Sequence, residues 1–169
     1  MSNQTKTALV TGASRGIGAA IATRLAKDGF NVIVNYSGSE GAAAKVVADI
    51  EKSGGKAVAA QADVADSAAV KRLFDLAESA FGGVDVLINN AGIMKLSALA
   101  EADDALIDSQ IDINFKGSIN TMREAAKRLQ DGGRIVNLSS SVAALKFETY
   151  GIYAATKGAI EVLTGILAK

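Results

Sequence analysis

The sequence predicts an α/β fold in which a parallel sheet is doubly wound, with helices on both faces. Two observations support this prediction: apolar runs of strand length alternate with amphipathic helical stretches, and a glycine-rich turn separates the first run from the first helix. Such alternation is typical of crossover units, in which a helix connects two parallel strands. The length of 169 residues suits one domain, so we expect a single domain over residues 1–169.

Five apolar runs have the composition of strands that are covered on both faces. They are Thr7–Gly12, Asn31–Tyr36, Lys56–Asp63, Val84–Asn90 and Gly133–Ser140. Helical patterns between them stop at the glycine pairs Gly54–Gly55 and Gly82–Gly83. Their apolar positions, which we interpret as core, are Ala43, Val46, Val47, Ile50, Val70, Leu73, Phe74, Ala77 and Phe81. Right-handed crossovers then predict the strand order 3-2-1-4-5, with the glycine turn at the carboxyl edge of the sheet.

The composition excludes several classes of function. The 18 basic and 18 acidic residues balance, which argues against nucleic acid and membrane surfaces as partners. Cysteine and histidine are absent, so we predict no metal site, and acid/base chemistry must use Tyr, Lys or carboxylates. The polar start of the chain resembles no secretory signal, and no apolar run approaches the roughly 20 residues of a membrane span. We therefore expect a cytoplasmic protein that acts on small molecules.

A glycine-rich turn, Thr11–Gly18, lies between the first apolar run and an amphipathic helix. Glycine permits positive dihedral angles and the close approach of a pyrophosphate, while the helix N-terminus supplies free N–H groups and a partial positive charge. The spacing differs from the usual dinucleotide fingerprint, because three residues separate Gly12 from Gly16 and one separates Gly16 from Gly18. The order of strand, turn and helix still predicts a phosphate-binding turn.

Tyr153 and Lys157 are four residues apart in a stretch with a helical pattern, so their side chains project from one face. An adjacent ammonium favours the phenolate form of a tyrosine, which makes the pair a candidate acid/base, although an ordinary exposed helix face has the same pattern. Tyr150 has no lysine four residues later. Ser140 ends the fifth apolar run thirteen residues before Tyr153, and its hydroxyl can donate to a substrate oxygen.

Together these motifs resemble the short-chain dehydrogenase/reductase family over the whole chain. The residues that carry the resemblance are Thr11–Gly18, Asn89–Gly92, Asn114, Ser140, Tyr153 and Lys157. The spacing to the tyrosine selects Ser140 over Ser139 and Ser141, and the resemblance supports that choice. The resemblance implies a Rossmann-like dinucleotide-binding and catalytic domain that uses NAD or NADP to interconvert alcohols and carbonyls. Within the family, the chain is most similar to the 3-oxoacyl-[acyl-carrier-protein] reductase type.

The resemblance implies a role for each site residue. The expected catalytic residues are Asn114, Ser140, Tyr153 and Lys157. The expected cofactor-binding residues are Gly12, Ser14, Arg15, Gly16, Ile17, Gly18, Asn35, Tyr36, Ser37, Asp63, Val64, Asn90, Ala91, Gly92, Tyr153 and Lys157. We expect reversible hydride transfer between a nicotinamide and a substrate carbonyl carbon. Tyr153 would protonate the carbonyl oxygen, Ser140 would hold it, and Lys157 would bind the nicotinamide ribose.

Some of these positions also fit plainer interpretations. In the resemblance Asp63 and Val64 lie against the adenine ring, but Asp63 also suits a helix or turn cap. Asn35 and Ser37 are also common turn formers. The same holds for Asn89–Gly92, in which, by the resemblance, Asn89 steadies the sheet centre while Ala91 and Gly92 line the path of the cofactor.

Asn114 lies inside a helical stretch that starts at Asp104. Its side chain either faces water or bonds its own backbone, or the side chain or a local backbone irregularity holds a water that links Lys157 to solvent. The second interpretation would complete proton resupply, and interruptions of helices often mark functional positions.

Members of this family continue beyond the length of this chain. We therefore expect residues 1–169 to be a C-terminally incomplete domain that lacks two strands and the substrate loop, and to be a poor catalyst alone. The final stretch Ala155–Lys169 is expected to be amphipathic, with Ile160, Leu163, Ile166 and Leu167 on one side. For the full-length form we expect a homotetramer or homodimer that acts on a small carbonyl or alcohol. The alternatives are a non-catalytic dinucleotide-binding or assembly protein, and an inactive fragment of the reductase.

The cofactor preference gives a first testable prediction. Arg15 lies in the glycine turn, and no carboxylate follows Val34 at the end of the second strand. A carboxylate there would repel a 2′-phosphate, whereas a guanidinium can pair with it, so NADP is favoured and NAD remains possible. If Arg15 is only a solvated loop cation, the preference for NADP loses one of its two supports. Fluorescence titration should give tighter binding of NADP than of NAD, and the difference should shrink as salt rises. Equal or tighter binding of NAD at moderate salt would contradict this preference.

Overall fold

A computed structural model describes residues 5–169 as a parallel sheet with helices on both faces; the first four residues of the polar N-terminus lie outside the described residues. The strands are β1 (Thr7–Val10), β2 (Asn31–Tyr36), β3 (Lys56–Gln61), β4 (Val84–Asn89) and β5 (Leu129–Asn137). Their order is β3-β2-β1-β4-β5, and all four pairings are parallel. The predicted fold class and strand order are confirmed.

The helices connect and cover these strands. They are α1 (Gly16–Lys27), α2 (Glu40–Lys52), α3 (Ser67–Phe81), α4 (Asp104–Gln110), α5 (Gly117–Arg128), α6 (Val142–Leu145) and α7 (Gly151–Leu167). A π-helix, Ile111–Lys116, joins α4 to α5, and 3₁₀ turns occupy Leu99–Glu101 and Glu148–Tyr150. Within residues 5–169, no helix combines the length and the apolar character that crossing a membrane requires.

The core has two halves because successive strand residues point to opposite faces of the sheet. On one face, Leu9, Ile33 and Leu87 pack with residues of α3 and α5. On the other face, Val10 and Val32 pack with residues of α1 and α2. The apolar positions predicted for the two glycine-terminated helices lie in these clusters, so their interpretation as core is confirmed.

Several predicted strands are too long at the carboxyl edge. The sequence placed the ends of β1, β3 and β4 at Gly12, Asp63 and Asn90, whereas the strands end at Val10, Gln61 and Asn89. The chain leaves the ladder there because side chains take over the backbone partners. For example, the carbonyl of Thr11 accepts a hydrogen bond from the Asn90 side chain at 2.9 Å.

The predicted bounds and the burial of β5 are wrong. The strand starts at Leu129 and ends at Asn137, so Ser140 lies beyond it. A bulge displaces the register between the pairs Val84–Leu129 and Val86–Arg134, and the strand ends where the Leu138 carbonyl turns to the Lys157 ammonium. Because β5 is the last strand of the sheet, most of its residues are exposed or half-buried rather than covered on both faces.

The final helix also differs from its prediction. It starts at Gly151, four residues before Ala155, and its predicted apolar side is only partly covered: Ile160 is buried, while Ile166 is 64% exposed. The predicted apolar side is therefore covered at Ile160 and largely exposed at Ile166, near the end of the helix.

Two glycines, one in α2 and one just after it, give a matched test of backbone strain. Gly54, just after this helix, has φ of +83°, and Gly41 lies in its first turn; a Cβ at either position would meet no atom within 4 Å. Gly54→Ala should lower the free energy of unfolding by about 1–2 kcal/mol, because L-residues are strained at positive φ. Gly41→Ala should raise it by about 0.5 kcal/mol. Urea unfolding of both variants measures the difference, and equal effects of the two changes would contradict it.

Candidate active site

A cleft of about 410 Å³ opens at the carboxyl edge of the sheet, between the ends of β1, β2, β3 and β4. Its lining includes twelve of the predicted cofactor-binding residues: Gly12, Ser14, Arg15, Ile17, Asn35, Tyr36, Ser37, Asp63, Val64, Asn90, Ala91 and Gly92. Sequence reasoning missed five further lining residues, Gly38, Ser39, Ala62, Ile93 and Ile113. Each lies within two residues of a predicted site residue along the chain, so adjacency was the available signal.

The glycine turn packs tightly against the segment after β4. Gly12 has φ of +61°, and a Cβ there would lie 2.9 Å from the Cα of Ala91. A Cβ on Gly18 would lie 2.5 Å from both the Asn90 amide nitrogen and the Gly12 carbonyl oxygen. Since real Cβ atoms do not approach this closely, only glycine fits where the first turn of α1 meets the strand ends.

Asn90 and Thr11 join the ends of β4 and β1. The Asn90 side chain donates to the carbonyls of Thr11 and Gly12 at 2.9 and 3.1 Å. In return, the Thr11 hydroxyl accepts from the backbone N–H groups of Asn90 and Ala91, both at 3.0 Å. The Asn90 amide therefore fixes the glycine turn to the segment after β4.

Asn35 performs the same task between β1, β2 and β3. Its side-chain oxygen accepts from the Gly12 N–H at 3.2 Å, and its nitrogen donates to the carbonyls of Ala60 and Ala62 at 3.2 and 3.0 Å. Asn35 is buried, so its amide is used inside the protein, although the residue also lines the cleft.

The loop after β3 is held by a third amide. Asn120 of α5 donates to the carbonyls of Val64 and Ala65 at 2.9 and 3.2 Å. Asp63 accepts from the Ala65 N–H at 2.9 Å, which is the turn-capping arrangement considered from the sequence, while its exposed carboxylate also borders the cleft.

Arg15 is exposed at the N-cap position of α1 and borders the cleft together with Ser37. Of the residues that line the cleft, Arg15 and Asp63 are the charged ones, and Asp63 lies at the end of β3. The end of β2 contributes Asn35, Tyr36, Ser37, Gly38 and Ser39 to the lining, none of which is a carboxylate.

Asn114 lies in the π-helix and is only 1% exposed. Its side chain accepts from the Ile93 N–H and donates to the Ile93 carbonyl, both at 2.8 Å, and it also donates to the Thr156 hydroxyl at 3.3 Å. The idea that this side chain faces water or bonds its own backbone is therefore wrong, whereas the predicted irregularity of the backbone is present. Asn114 connects the segment after β4 with α7.

Tyr153 and Lys157 share one face of α7, with the Lys157 Nζ 5.6 Å from the centre of the Tyr153 ring. Lys157 is 7% exposed and donates to the Leu138 carbonyl at 2.8 Å. Burial lowers the pKa of Lys157 below its ordinary value of 10.5. A Cβ on Gly92 would lie 3.2 Å from Asn114 Oδ1 and 3.7 Å from Lys157 Nζ, so Gly92 brings these two side chains to the same point.

The three serines after β5 have different environments. The Ser139 hydroxyl donates to the Glu161 carboxylate at 2.5 Å, whereas the Ser140 hydroxyl accepts a long hydrogen bond of 3.5 Å from the Val142 N–H. Ser140 therefore keeps its O–H proton available, two residues after the carbonyl that holds Lys157. Tyr150 packs its ring edge-on against Phe147, with centroids 5.6 Å apart.

A chain of buried and partly buried hydrogen bonds attaches α7 to the sheet. Thr121 donates to Asn89 at 2.6 Å, Asn89 donates to Asn137 at 2.7 Å, and Asn137 donates to Thr164 at 2.8 Å. The chain runs from α5 through β4 and β5 to α7. The role expected of Asn89, to steady the sheet centre, has this physical basis.

The sequence of the chain is similar to those of known proteins. A family model described as short chain dehydrogenase matches residues 6–169. The chain belongs to the short-chain dehydrogenase family. An uncharacterized oxidoreductase of Methylorubrum extorquens is 44% identical over 163 residues, which are 96% of this chain and 66% of that protein. A 3-oxoacyl-[acyl-carrier-protein] reductase of Staphylococcus aureus is 44% identical over 98% of this chain and 68% of that protein.

Solved structures of the family superpose closely on the chain. The crystal structure of a short chain dehydrogenase from Burkholderia cenocepacia in complex with NADP has a TM-score of 0.93 and 45% identity, over 98% of this chain and 68% of that one. The chain spans about two thirds of the length of these short-chain dehydrogenases. The predicted family and the likeness to its 3-oxoacyl reductase type are confirmed.

The buried ammonium of Lys157 predicts a pH dependence of stability. Because its pKa is lower in the folded than in the unfolded chain, the unfolded chain binds more protons just below pH 10.5. The penalty for burying the charge is thus present at lower pH and is relieved as the pH rises towards 10.5. Lys157→Met should remove this component, so the unfolding free energy of the wild type should rise relative to the variant over that range. Parallel curves from urea unfolding at several pH values would contradict it.

Proposed function

We propose that the chain is the cofactor-binding and catalytic part of an oxidoreductase that uses NADP(H) to interconvert a carbonyl and a secondary alcohol. One observation carries the proposal: the face of α7 with Tyr153 and Lys157 meets Gly92 and Asn114 beside an open cleft at the carboxyl edge of a parallel sheet. In open α/β sheets, ligands bind at this edge. Family membership supports the same class of reaction.

The cleft fits a dinucleotide. The first turn of α1 offers N–H groups and the positive end of the helix to a pyrophosphate, and the glycines of the turn permit its close approach. Arg15 and Ser37 border the cleft where a 2′-phosphate would need a cation and donors, and β2 ends without an opposing carboxylate. The relative from Burkholderia cenocepacia, solved with NADP, supports NADP over NAD. Bound NADPH would supply a hydride to the substrate.

The residues of the chain would handle the proton and the developing charge. Tyr153 would donate a proton to the carbonyl oxygen of the substrate, and Ser140, whose O–H is available, would hold that oxygen with a hydrogen bond. A lysine ammonium has three donors, and the Leu138 carbonyl accepts from one of them. The other two would serve the ribose of the cofactor and a proton path, for which the π-helix at Asn114 provides the interruption.

The substrate class is a small carbonyl compound or its alcohol, and its identity stays open. A homotetramer or homodimer in the full-length form and a cytoplasmic location also stay predictions. A non-catalytic dinucleotide-binding protein would share the cleft but would not need the Tyr153, Lys157 and Ser140 set, so turnover separates the two functions.

Replacement of the acid tests the proposed function. In the full-length form, Tyr153→Phe should lower kcat for NADPH-dependent reduction of a ketone by about 10²–10⁴-fold, the usual contribution of general acid catalysis. Its Kd for NADPH should stay close to that of the wild type, because the hydroxyl acts in proton transfer rather than docking. Lys157→Ala should impair both binding and turnover.

Absorbance assays measure kcat, and fluorescence titrations measure the Kd for NADPH, on the same preparations of each variant. Near wild-type turnover of Tyr153→Phe would show that Tyr153 is not the acid. Tight NADPH binding by a full-length form that reduces no ketone would support the non-catalytic alternative.

A further inference from the structure

The segment that follows Gly92, residues 93–98, belongs to no helix or strand. The backbone groups of every second residue in this segment nevertheless have hydrogen-bond partners. Ile93 exchanges two hydrogen bonds with the Asn114 side chain, Lys95 exchanges two with the Gln110 side chain, and the Ser97 N–H donates to the Thr149 carbonyl at 3.1 Å. The pattern of partners at every second residue is the one that a neighbouring strand would provide.

Gln110 forms the middle of these three attachments. Its side-chain oxygen accepts from the Lys95 N–H and its nitrogen donates to the Lys95 carbonyl, both at 3.1 Å. Gln110 is fully buried at the end of α4, four residues before Asn114, so the two amides project from the same side of adjacent helical turns. Burial of an amide is unfavourable unless both of its ends are paired, and Lys95 pairs both.

The position of the segment connects Gln110 to the chemistry. At one end Ile93 borders the cleft and Gly92 lies between Asn114 and Lys157. At the other end Ser97 joins the 3₁₀ turn that leads into α7, the helix of Tyr153. Between the attachments the apolar side chain of Met94 is 53% exposed. The segment thus forms a wall from the cleft to the catalytic tyrosine, and Gln110 is the contact that holds its middle.

We propose that Gln110 is a positioning residue, which fixes the wall from Ile93 to Ser97 so that substrate and cofactor meet in reach of Tyr153. The inference rests on the proposed function. Gln110 touches neither ligand in this account: it acts through the backbone of Lys95. The carbon chain of Gln110 only fills space, whereas the oxygen and nitrogen of its amide fix the position of the Lys95 backbone.

Gln110→Met keeps the length of the side chain and removes both hydrogen bonds. Exchange of the Lys95 amide hydrogen should become at least ~10-fold faster, while exchange at Leu9 and Leu87 in the core stays unchanged. In the full-length form we expect kcat to fall about 10–100-fold, because displacement of groups by about 1 Å has effects of this size. The Kd for NADPH should change less, since the contacts at Arg15 and Asp63 lie at the other end of the cleft.

Gln110→Glu tests the hydrogen bonds themselves. A protonated carboxyl offers one donor and one acceptor, as the amide does, whereas a carboxylate offers only acceptors and would repel the Lys95 carbonyl. Turnover of Gln110→Glu relative to the wild type should therefore recover as the pH falls, and Gln110→Met should show no such recovery. A residue needed only for packing would not produce this difference. The Glu variant also keeps the test available if the Met variant does not fold.

Gly54→Ala is the matched control for lost stability, because Gly54 precedes β3 at the opposite edge of the sheet. It should lower the unfolding free energy without lowering kcat. Unchanged exchange at Lys95, or a kcat of Gln110→Met equal to that of Gly54→Ala, would overturn the inference. A wild-type chain that neither binds NADPH nor reduces a ketone would instead remove the proposed function, and the exchange comparison would still decide whether Gln110 holds the wall.

Discussion

Backbone groups at the carboxyl ends of parallel strands need partners once the ladder stops, and in this protein side-chain amides provide partners at the ends of several strands. Asn35 pairs groups at the ends of three strands, Asn90 pairs two carbonyls of the glycine turn, and Asn120 pairs two carbonyls after β3. Asn114 and Gln110 do the same for the segment after β4. These amides let the strand ends separate into a cleft without leaving buried polar groups unpaired.

The division of labour among polar residues follows from this constraint. Carboxamides do not titrate, so the framework around the cleft keeps the same donors and acceptors at every pH. The groups that can exchange protons, Tyr153 and Lys157, lie together on α7, which a separate chain of hydrogen bonds through Asn137 attaches to the sheet. The side chains that support the strand ends are thus different from the two that are proposed to transfer protons.

The sequence predicts the strand order and the pairing of Tyr153 with Lys157 because both depend on local patterns. Alternating apolar runs determine a doubly wound sheet, and Tyr153 and Lys157 are close through one turn of helix. The end of β5 depends instead on Lys157, nineteen residues beyond Leu138, which takes its carbonyl. The role of Gln110 cannot be predicted from sequence for a similar reason, because a glutamine in a helical stretch is ordinary until its partner Lys95 is known. Contacts between distant segments carry no local signal.

The use of amides at the carboxyl edge also sets how the protein would age chemically. Asparagine and glutamine are thermolabile residues, and deamidation replaces an NH₂ donor by a carboxylate oxygen of nearly the same shape. At Asn90 that oxygen would face the carbonyls of Thr11 and Gly12, which now accept hydrogen bonds at 2.9 and 3.1 Å. It would also add a negative charge beside the glycine turn, where the pyrophosphate of the proposed cofactor would bind. Such damage would disable the cleft while the apolar core, which has no such groups, stayed intact.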